Sequence, residues 1–179
     1  VSLTLTYFPV RGRAEVIRVM LKDQGAEFDE KVITMEMWKE STLKASCLFG
    51  QLPIFEDGDL TLYQTNAIRR HLARKLGLYG KDQREAALID MMDEAIQDLL
   101  NKYVKLMFEK DVSVQMYDKC NHFDLNPSSK IILQQEDLII LKKISLADYA
   151  LVILLIHHQV LSPPCLHAVC PTQPACLLS

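Results

Sequence analysis

At 179 residues the chain is long enough to bury a substantial core, and long enough for two small domains. Its net charge of −3 gives no electrostatic reason to bind nucleic acid. Five cysteines, at 47, 120, 165, 170 and 176, form no C-x-x-C, which argues against a dithiol oxidoreductase or a zinc ribbon and for reduced thiols in the cytosol.

The first element runs from Val1 to Phe8. Leu3, Leu5 and Tyr7 alternate with Ser2, Thr4 and Thr6, which predicts a strand with one apolar face. Pro9 to Arg13 reads as a turn, and Ala14 to Leu21 as a helix. Tyr7 therefore stands at the carboxyl end of a strand, where open α/β sheets place ligands. A strand tyrosine is more often core filler, so position alone does not decide its role.

Gly50 to Phe55 passes from a loop into a short apolar strand. Pro53 lacks an N–H and marks an edge or a turn. A cis Leu52–Pro53 bond would turn the Leu52 N–H and C=O outward, to pair with an extended peptide as an added strand. The alternative is an ordinary trans proline opening a strand. Phe55 to Tyr63 reads as a hairpin about an Asp57-Gly58 turn. Gln64-Thr65-Asn66 then opens a helix with Ile68, Leu72 and Leu76 on one face, stopped by Gly77. Free N–H groups at its start, with the Thr65 hydroxyl, can take an anion. Simple capping by Gln64, Thr65 or Asn66 is the alternative. Arg69, Arg70, Arg74 and Lys75 form a basic face, with Arg69 expected to point at water.

Residues 1–76 thus read strand–helix–strand–helix–strand–strand–helix, a thioredoxin-like α/β unit, and 77–82 is a glycine-bearing linker. A helical domain is expected over 83–166. Its long first helix, Gln83 to about Phe108, sets Leu88, Met91, Met92, Ala95, Leu99 and Met107 at helical spacing, with the methionines as core. From Glu109 to Lys143 the pattern gives no firm element; Ile131 to Leu141 fits helix or strand. Ser145-Leu146-Ala147-Asp148 is a helix-start capping pattern, which makes Asp148 structural. The longest apolar run, Tyr149 to Ile156, is too short to span a bilayer, and no basic stretch precedes an apolar one, so neither a membrane span nor a secretory leader is expected. Residues 167–179, interrupted by Pro171 and Pro174, are expected to form a disordered tail.

The strings Tyr7 to Arg13, Cys47 to Pro53, Asp57 to Gln64, Leu76 to Lys81 and Ile144 to Tyr149 closely resemble the Pi class of cytosolic glutathione S-transferases. The resemblance implies a thioredoxin-like N-terminal domain followed by an all-α domain, a cytoplasmic location, and conjugation of the glutathione thiolate to apolar electrophiles. Glutathione would be the co-substrate, with no metal. By the same resemblance Tyr7 is the catalytic hydroxyl, and Arg13, Trp38, Lys44, Gln51, Leu52, Pro53, Gln64 and Thr65 hold the tripeptide. Leu52 would pair with the cysteinyl backbone, Gln64 and Thr65 with the γ-glutamyl carboxylate, and Trp38 and Lys44 with the glycine end. Phe8, Val10, Val104 and Phe108 would line the electrophile pocket. A homodimer is implied, with Asp98 reaching the γ-glutamyl site of the other subunit. Phe49 would plug the partner, and Arg70 and Arg74 would meet acids such as Asp90 or Glu94 across the interface. A stress-activated kinase is implied as a protein partner.

Several positions depart from the class pattern. Thr65 replaces a serine and keeps the hydroxyl. Phe49 and Phe108 stand where tyrosines are usual. Ile54 and Arg69 replace a lysine and an aliphatic residue. After Leu166 the chain leaves the pattern, where class members continue with helices that close one wall of the electrophile pocket. That departure keeps two further readings open: a non-catalytic paralogue that binds glutathione or a protein, and a defective product lacking the C-terminal helices.

The chemistry is coherent in its own terms. A free thiol has a pKa of roughly 8.5, so little of it is thiolate at neutral pH. A donor that bonds the charged form favours it, and about 1.4 kcal/mol of such preference makes the thiol ten times more acidic. One charge-assisted hydrogen bond of about 1.5–3 kcal/mol therefore supplies roughly a ten- to hundredfold gain in acidity, so Tyr7 needs no second catalytic group.

Overall fold

A computed structural model describes residues 2–40, 42–108 and 143–161. The readings of 109–142 and of the tail after Leu166 lie outside the described residues.

The first unit is built on a four-stranded sheet in the order β2-β1-β3-β4. β1 (Leu3–Tyr7), α1 (Glu15–Asp23) and β2 (Asp29–Val32) make a βαβ turn with the two strands parallel. β3 (Ile54–Asp57) and β4 (Leu60–Tyr63) form the expected hairpin, antiparallel to each other, and β3 runs antiparallel to β1. Two central strands carry the core. Leu5 and Phe55 sit opposite one another in register and are both fully buried. Each such side chain contributes roughly 1.5–3 kcal/mol by leaving water. β2 is an exposed edge whose Asp29, Glu30 and Lys31 discourage pairing with a stray strand.

α1 buries Val16, Ile17, Met20 and Leu21, the helical stripe that its sequence spacing requires, and packs against α4 (Thr65–Lys75). Two short helices, α2 (Met35–Glu40) and α3 (Leu43–Ser46), join β2 to the loop before β3. α4 stops as its sequence predicts. Gly77 takes φ +73°, the Leu78 N–H reaches the Ala73 carbonyl at 2.7 Å, and the Gly77 N–H points at Arg74 O at 3.4 Å. That is the paired arrangement by which a helix satisfies its last carbonyls.

Arg69 corrects the expectation that it faces water: only 1% of it is exposed. It lies within α4's buried set of Ile68, Arg69, Leu72 and Ala73, and its Nη1 donates to Asn66 Oδ1 at 3.1 Å. A wide helical stripe carries it inward, and a neighbour one turn earlier accepts from its guanidinium.

α5 (Gln83–Phe108) is a single helix of 26 residues. Its buried line is Ile89, Asp93, Ile96 and Leu99; of the expected Leu88, Met91, Met92, Ala95 and Leu99 only Leu99 is buried, and Met91 is 58% exposed. Apolar residues surround this helix, so their spacing does not fix which stripe turns inward. Ile89 and Ile96, two turns apart, are both fully buried. The Met107 side chain lies outside the described residues.

α6 (Leu146–Leu161) begins as the capping pattern requires. The Ser145 N–H and hydroxyl both donate to Asp148 Oδ2, at 2.7 Å each. Three further bonds tie this helix start to earlier chain. Leu146 N–H donates to the Leu78 carbonyl at 3.0 Å. Gln24 Nε2 donates to the Tyr149 hydroxyl at 2.8 Å, and that hydroxyl donates to the Asp23 carboxylate. Burial, and then the Asp23 carboxylate, push the Tyr149 phenol up to about 12.

Contacts group Val1–Asp90 with a stretch that ends at Tyr149, and place the chain from Met91, and again from Ala150, in a second unit. The division falls inside α5 rather than in the 77–82 segment. Among the described residues no helix is long and apolar enough to cross a membrane.

Candidate functional site

One cavity in the first unit, about 340 Å³, collects most of the residues that the sequence singles out. Tyr7 and Phe8 reach it from the end of β1, and Arg13 from the turn that follows. Trp38 comes from α2, and Gly50, Gln51, Leu52 and Pro53 come from the loop before β3. Gln64 and Thr65 complete it at the start of α4. Residues far apart in sequence meet here because β1 and β3 are neighbours and α4 starts directly after β4.

Tyr7 is 7% exposed, and its hydroxyl oxygen accepts the Arg13 backbone N–H at 3.1 Å. With that lone pair occupied, the hydroxyl proton is left to donate elsewhere. The turn comes close because Gly12 sits at φ +42°; a Cβ there would stand 2.6 Å from Tyr7 Oη. Aromatic edges continue the wall. Phe8 packs edge-on to Tyr7 at 5.6 Å and to Trp38 at 5.8 Å between ring centres.

On the opposite side Leu52–Pro53 is a cis peptide, as expected, and Pro53 is buried. Gln64 holds φ +71°, the only non-glycine with a positive φ among the described residues. That conformation is uncommon outside glycine and clusters at functional sites. The Gln64 carboxamide nitrogen points at Gln51 Oε1 at 3.3 Å, and its side chain makes no cap for α4. The capping alternative for Gln64 is thereby set aside.

Other expected site residues do not line this cavity. Lys44 is exposed on α3, and Val10 is 55% exposed beyond the end of β1. Asp98 and Val104 lie on α5, exposed and half-buried respectively. Phe108 ends α5, and its side chain is outside the described residues.

The residues assigned to a subunit interface have partners within this chain. Arg70 Nε meets Asp90 Oδ1 at 3.2 Å, and the Tyr79 hydroxyl donates to the same oxygen. Burial, and then Asp90, raise the Tyr79 phenol. The Arg74 guanidinium stands over the Tyr79 ring at 4.5 Å. Phe49 is 55% exposed and packs edge-on to Tyr63.

Three features escape sequence reasoning. Gly12 is one; its signal is a glycine two residues before a turn becomes a helix. Arg18 is the second. Its guanidinium bonds Glu30, Glu15 and the carbonyls of Val10 and Arg11. Burial opposes its charge, but hydrogen bonds to Glu30 and Glu15 outweigh it and raise the Arg18 pKa. The third is Asp57, which accepts from Lys75 at 2.6 and 2.7 Å and lies 2.8 Å from His71 Nε2. These contacts, the Lys75 hydrogen bond first, hold its carboxyl below the ordinary range. Cys47 is buried, which pushes its thiol up and leaves it unactivated. Among the described residues no group of three or more His, Cys, Asp or Glu side chains is placed to hold a metal ion.

Comparison with known proteins assigns this architecture. The family described as glutathione S-transferase, N-terminal domain, matches residues 3–74. Glutathione S-transferase P of Homo sapiens and that of Macaca mulatta are each 50% identical over 169 residues, covering 92% of this chain and 80% of the relative. Glutathione S-transferase P 1 of Bufo bufo is 42% identical over 167 residues, with 91% and 80% covered. The solved Pi-class glutathione S-transferase of Onchocerca volvulus superposes with a TM-score of 0.81 at 38% identity, covering 93% of this chain and 81% of that one. With its βαβ–hairpin–helix sheet, cis proline and tyrosine-lined cavity, the chain belongs to the Pi class of the glutathione S-transferases.

Proposed function

We propose that this chain is a cytoplasmic glutathione transferase, joining the glutathione thiolate to apolar electrophiles. The observation that carries the reading is the Tyr7 hydroxyl at the cavity wall, its oxygen already engaged by the Arg13 N–H at 3.1 Å. Its proton is free to bond a thiolate, and that bond favours the charged nucleophile over the neutral thiol. An N–H on the same oxygen strengthens its donation through polarisation.

The rest of the cavity has the parts that a tripeptide needs. Leu52, beside the cis bond, offers backbone to an extended peptide. Gln64, Thr65 and the uncapped start of α4 offer donors to a carboxylate. Gln51, Arg13 and Trp38 frame the remaining length, with Lys44 near the glycine end. Phe8 offers an apolar wall for the electrophile.

A two-fold homodimer follows from the class resemblance, with Asp98 of each chain completing the partner's γ-glutamyl site. The Phe49 ring, 55% exposed, is accessible to a partner as that assembly requires. Sedimentation at micromolar concentration tests it: twice the chain mass is expected, and a monomer that still turns over substrate overturns the shared site. The stress-activated kinase is the further protein partner to test, by pull-down with and without glutathione.

The deciding experiment is soluble expression, retention on immobilised glutathione, and conjugation of an activated aryl halide. Retention with turnover is the expected result. Retention without turnover supports a non-catalytic binder, and no retention overturns the glutathione site.

A further inference from the structure

We propose that Arg18 is a positioning residue for catalysis: it holds the turn after β1 against Tyr7 and so sets the direction of the tyrosine hydroxyl. The inference rests on the transferase reading above and deepens it.

Four acceptors converge on this guanidinium. Nε donates to Glu30 Oε1 at 2.7 Å, and Nη2 stands 2.6 Å from the same oxygen. Nη1 donates to Glu15 Oε2 at 3.0 Å, to the Val10 carbonyl at 3.0 Å and to the Arg11 carbonyl at 3.2 Å. The side chain is 12% exposed, while its acceptors on Val10 and Arg11 belong to exposed residues. Its central carbon lies 5.8 Å from the Tyr7 ring centre.

The position of these bonds gives them their consequence. Val10 and Arg11 precede Gly12, where a Cβ would clash with the Tyr7 hydroxyl, and Arg13, whose N–H bonds that oxygen. Among the described residues one backbone bond, Val10 N–H to Phe8 O at 2.7 Å, is made within the turn before Gly12. The turn is therefore anchored from outside, by a side chain fixed to α1 through Glu15 and to β2 through Glu30. A turn displaced by a fraction of an ångström would carry the Arg13 N–H out of line, since hydrogen bonds weaken steeply with angle and distance. The Tyr7 hydroxyl would then be free to rotate, and its donation to the thiolate would lose its set direction.

Five planar N–H donors let one arginine bind two carboxylates and two carbonyls at once, which lysine's compact ammonium cannot do. Arg18→Lys therefore keeps the charge and loses the geometry. The expected result is a fall in kcat of about ten- to a hundredfold, the size that misplacement of a catalytic group produces. KM for glutathione should change less than kcat, because of the tripeptide-binding groups only Arg13 sits on the displaced turn. The bound thiol, followed by its ultraviolet thiolate absorbance, should titrate at higher pH. Glu30→Gln leaves the guanidinium in place but weakens its shortest contact, and should move kcat and the titration the same way by less; it carries the test if Arg18→Lys does not fold. An unchanged kcat and titration in the folded variant overturns the proposal. So does a loss of thermal stability with kcat and titration intact, which would make Arg18 structural only. If the wild-type chain itself fails to ionise or conjugate glutathione, the transferase reading fails, a result separate from either outcome.

Discussion

Gly12 and Tyr7 approach more closely than any side chain at position 12 would permit, a Cβ there falling 2.6 Å from the phenolic oxygen. The tyrosine ring is held by the sheet, so the backbone turn would have to yield. Gly12→Ala also meets a φ of +42°, which alanine adopts only with strain. The variant should lose about 1 kcal/mol of stability and a larger share of turnover than of glutathione affinity. Thermal melts beside steady-state kinetics check it; wild-type kcat in the folded variant would show that the close approach has no catalytic consequence.

Tyr7→Phe removes one hydroxyl and leaves the ring. The cavity wall and its packing on Phe8 should persist, so glutathione retention should be near normal. Conjugation should fall about ten- to a hundredfold, the equivalent of one charge-assisted hydrogen bond at about 1.4 kcal/mol per tenfold. Unchanged turnover with a general electrophile would take Tyr7 out of the mechanism.

Asp57 fastens the β3–β4 turn to α4 through Lys75 and His71. Its carboxyl is held below the ordinary range, so the folded state favours the charged form. The stability it contributes is present above the ordinary carboxylate value of about 4 and is lost as pH falls through the lower folded value. Asp57→Asn should lower the melting temperature at neutral pH and flatten the wild-type decline below about pH 4. Lys75 is 41% exposed, so solvent screens that pair and the expected loss is about 1 kcal/mol. Parallel acid limbs in the two proteins would rule Asp57 out as a source of the acid sensitivity.

Asp148→Ala leaves the Ser145 N–H and hydroxyl without their acceptor at the start of α6. The expected cost is about 1 kcal/mol, the size of a lost helix cap. Glutathione affinity of the folded variant should not change, since Asp148 lies outside the cavity lining. Denaturant midpoints and retention on immobilised glutathione read the two quantities separately.

Local chemistry explains what the sequence made legible. Alternation in β1, the glycine turn of the hairpin and the glycine stop of α4 are each set by residues within a few positions of one another, and all three stand where the sequence places them. Pattern reading reached only part of the cavity, Tyr7 at a strand end, the Leu52–Pro53 edge and the start of α4; Arg13, Trp38 and Gln51 came from the class resemblance, because they lie in turns or within a short helix where no local pattern marks them. Arg69 was not legible: a charged residue beside Ile68 reads as surface until the width of the buried stripe is known. The phase of α5 was hidden by an excess of apolar residues, among which Ile89 and Ile96 turn inward and Met91 outward. Arg18 was invisible for another reason. Its partners come from the turn, from α1 and from β2, and no single window of sequence contains them.

Tyr149 and Asp23 are joined although 126 positions separate them. A ribosome that has released the whole sheet and α4 has yet to make the residue that bonds the end of α1. The N-terminal unit therefore emerges with its last tie unmade, and its completion waits for chain synthesised long afterwards. The entropy of closing so long a loop grows only logarithmically with its length, so the delay is one of time more than of stability. Contacts of that span slow folding relative to local ones. A nascent chain arrested after α4 should consequently hold the sheet but fray at the Asp23 end of α1, until the start of α6 arrives to cover it.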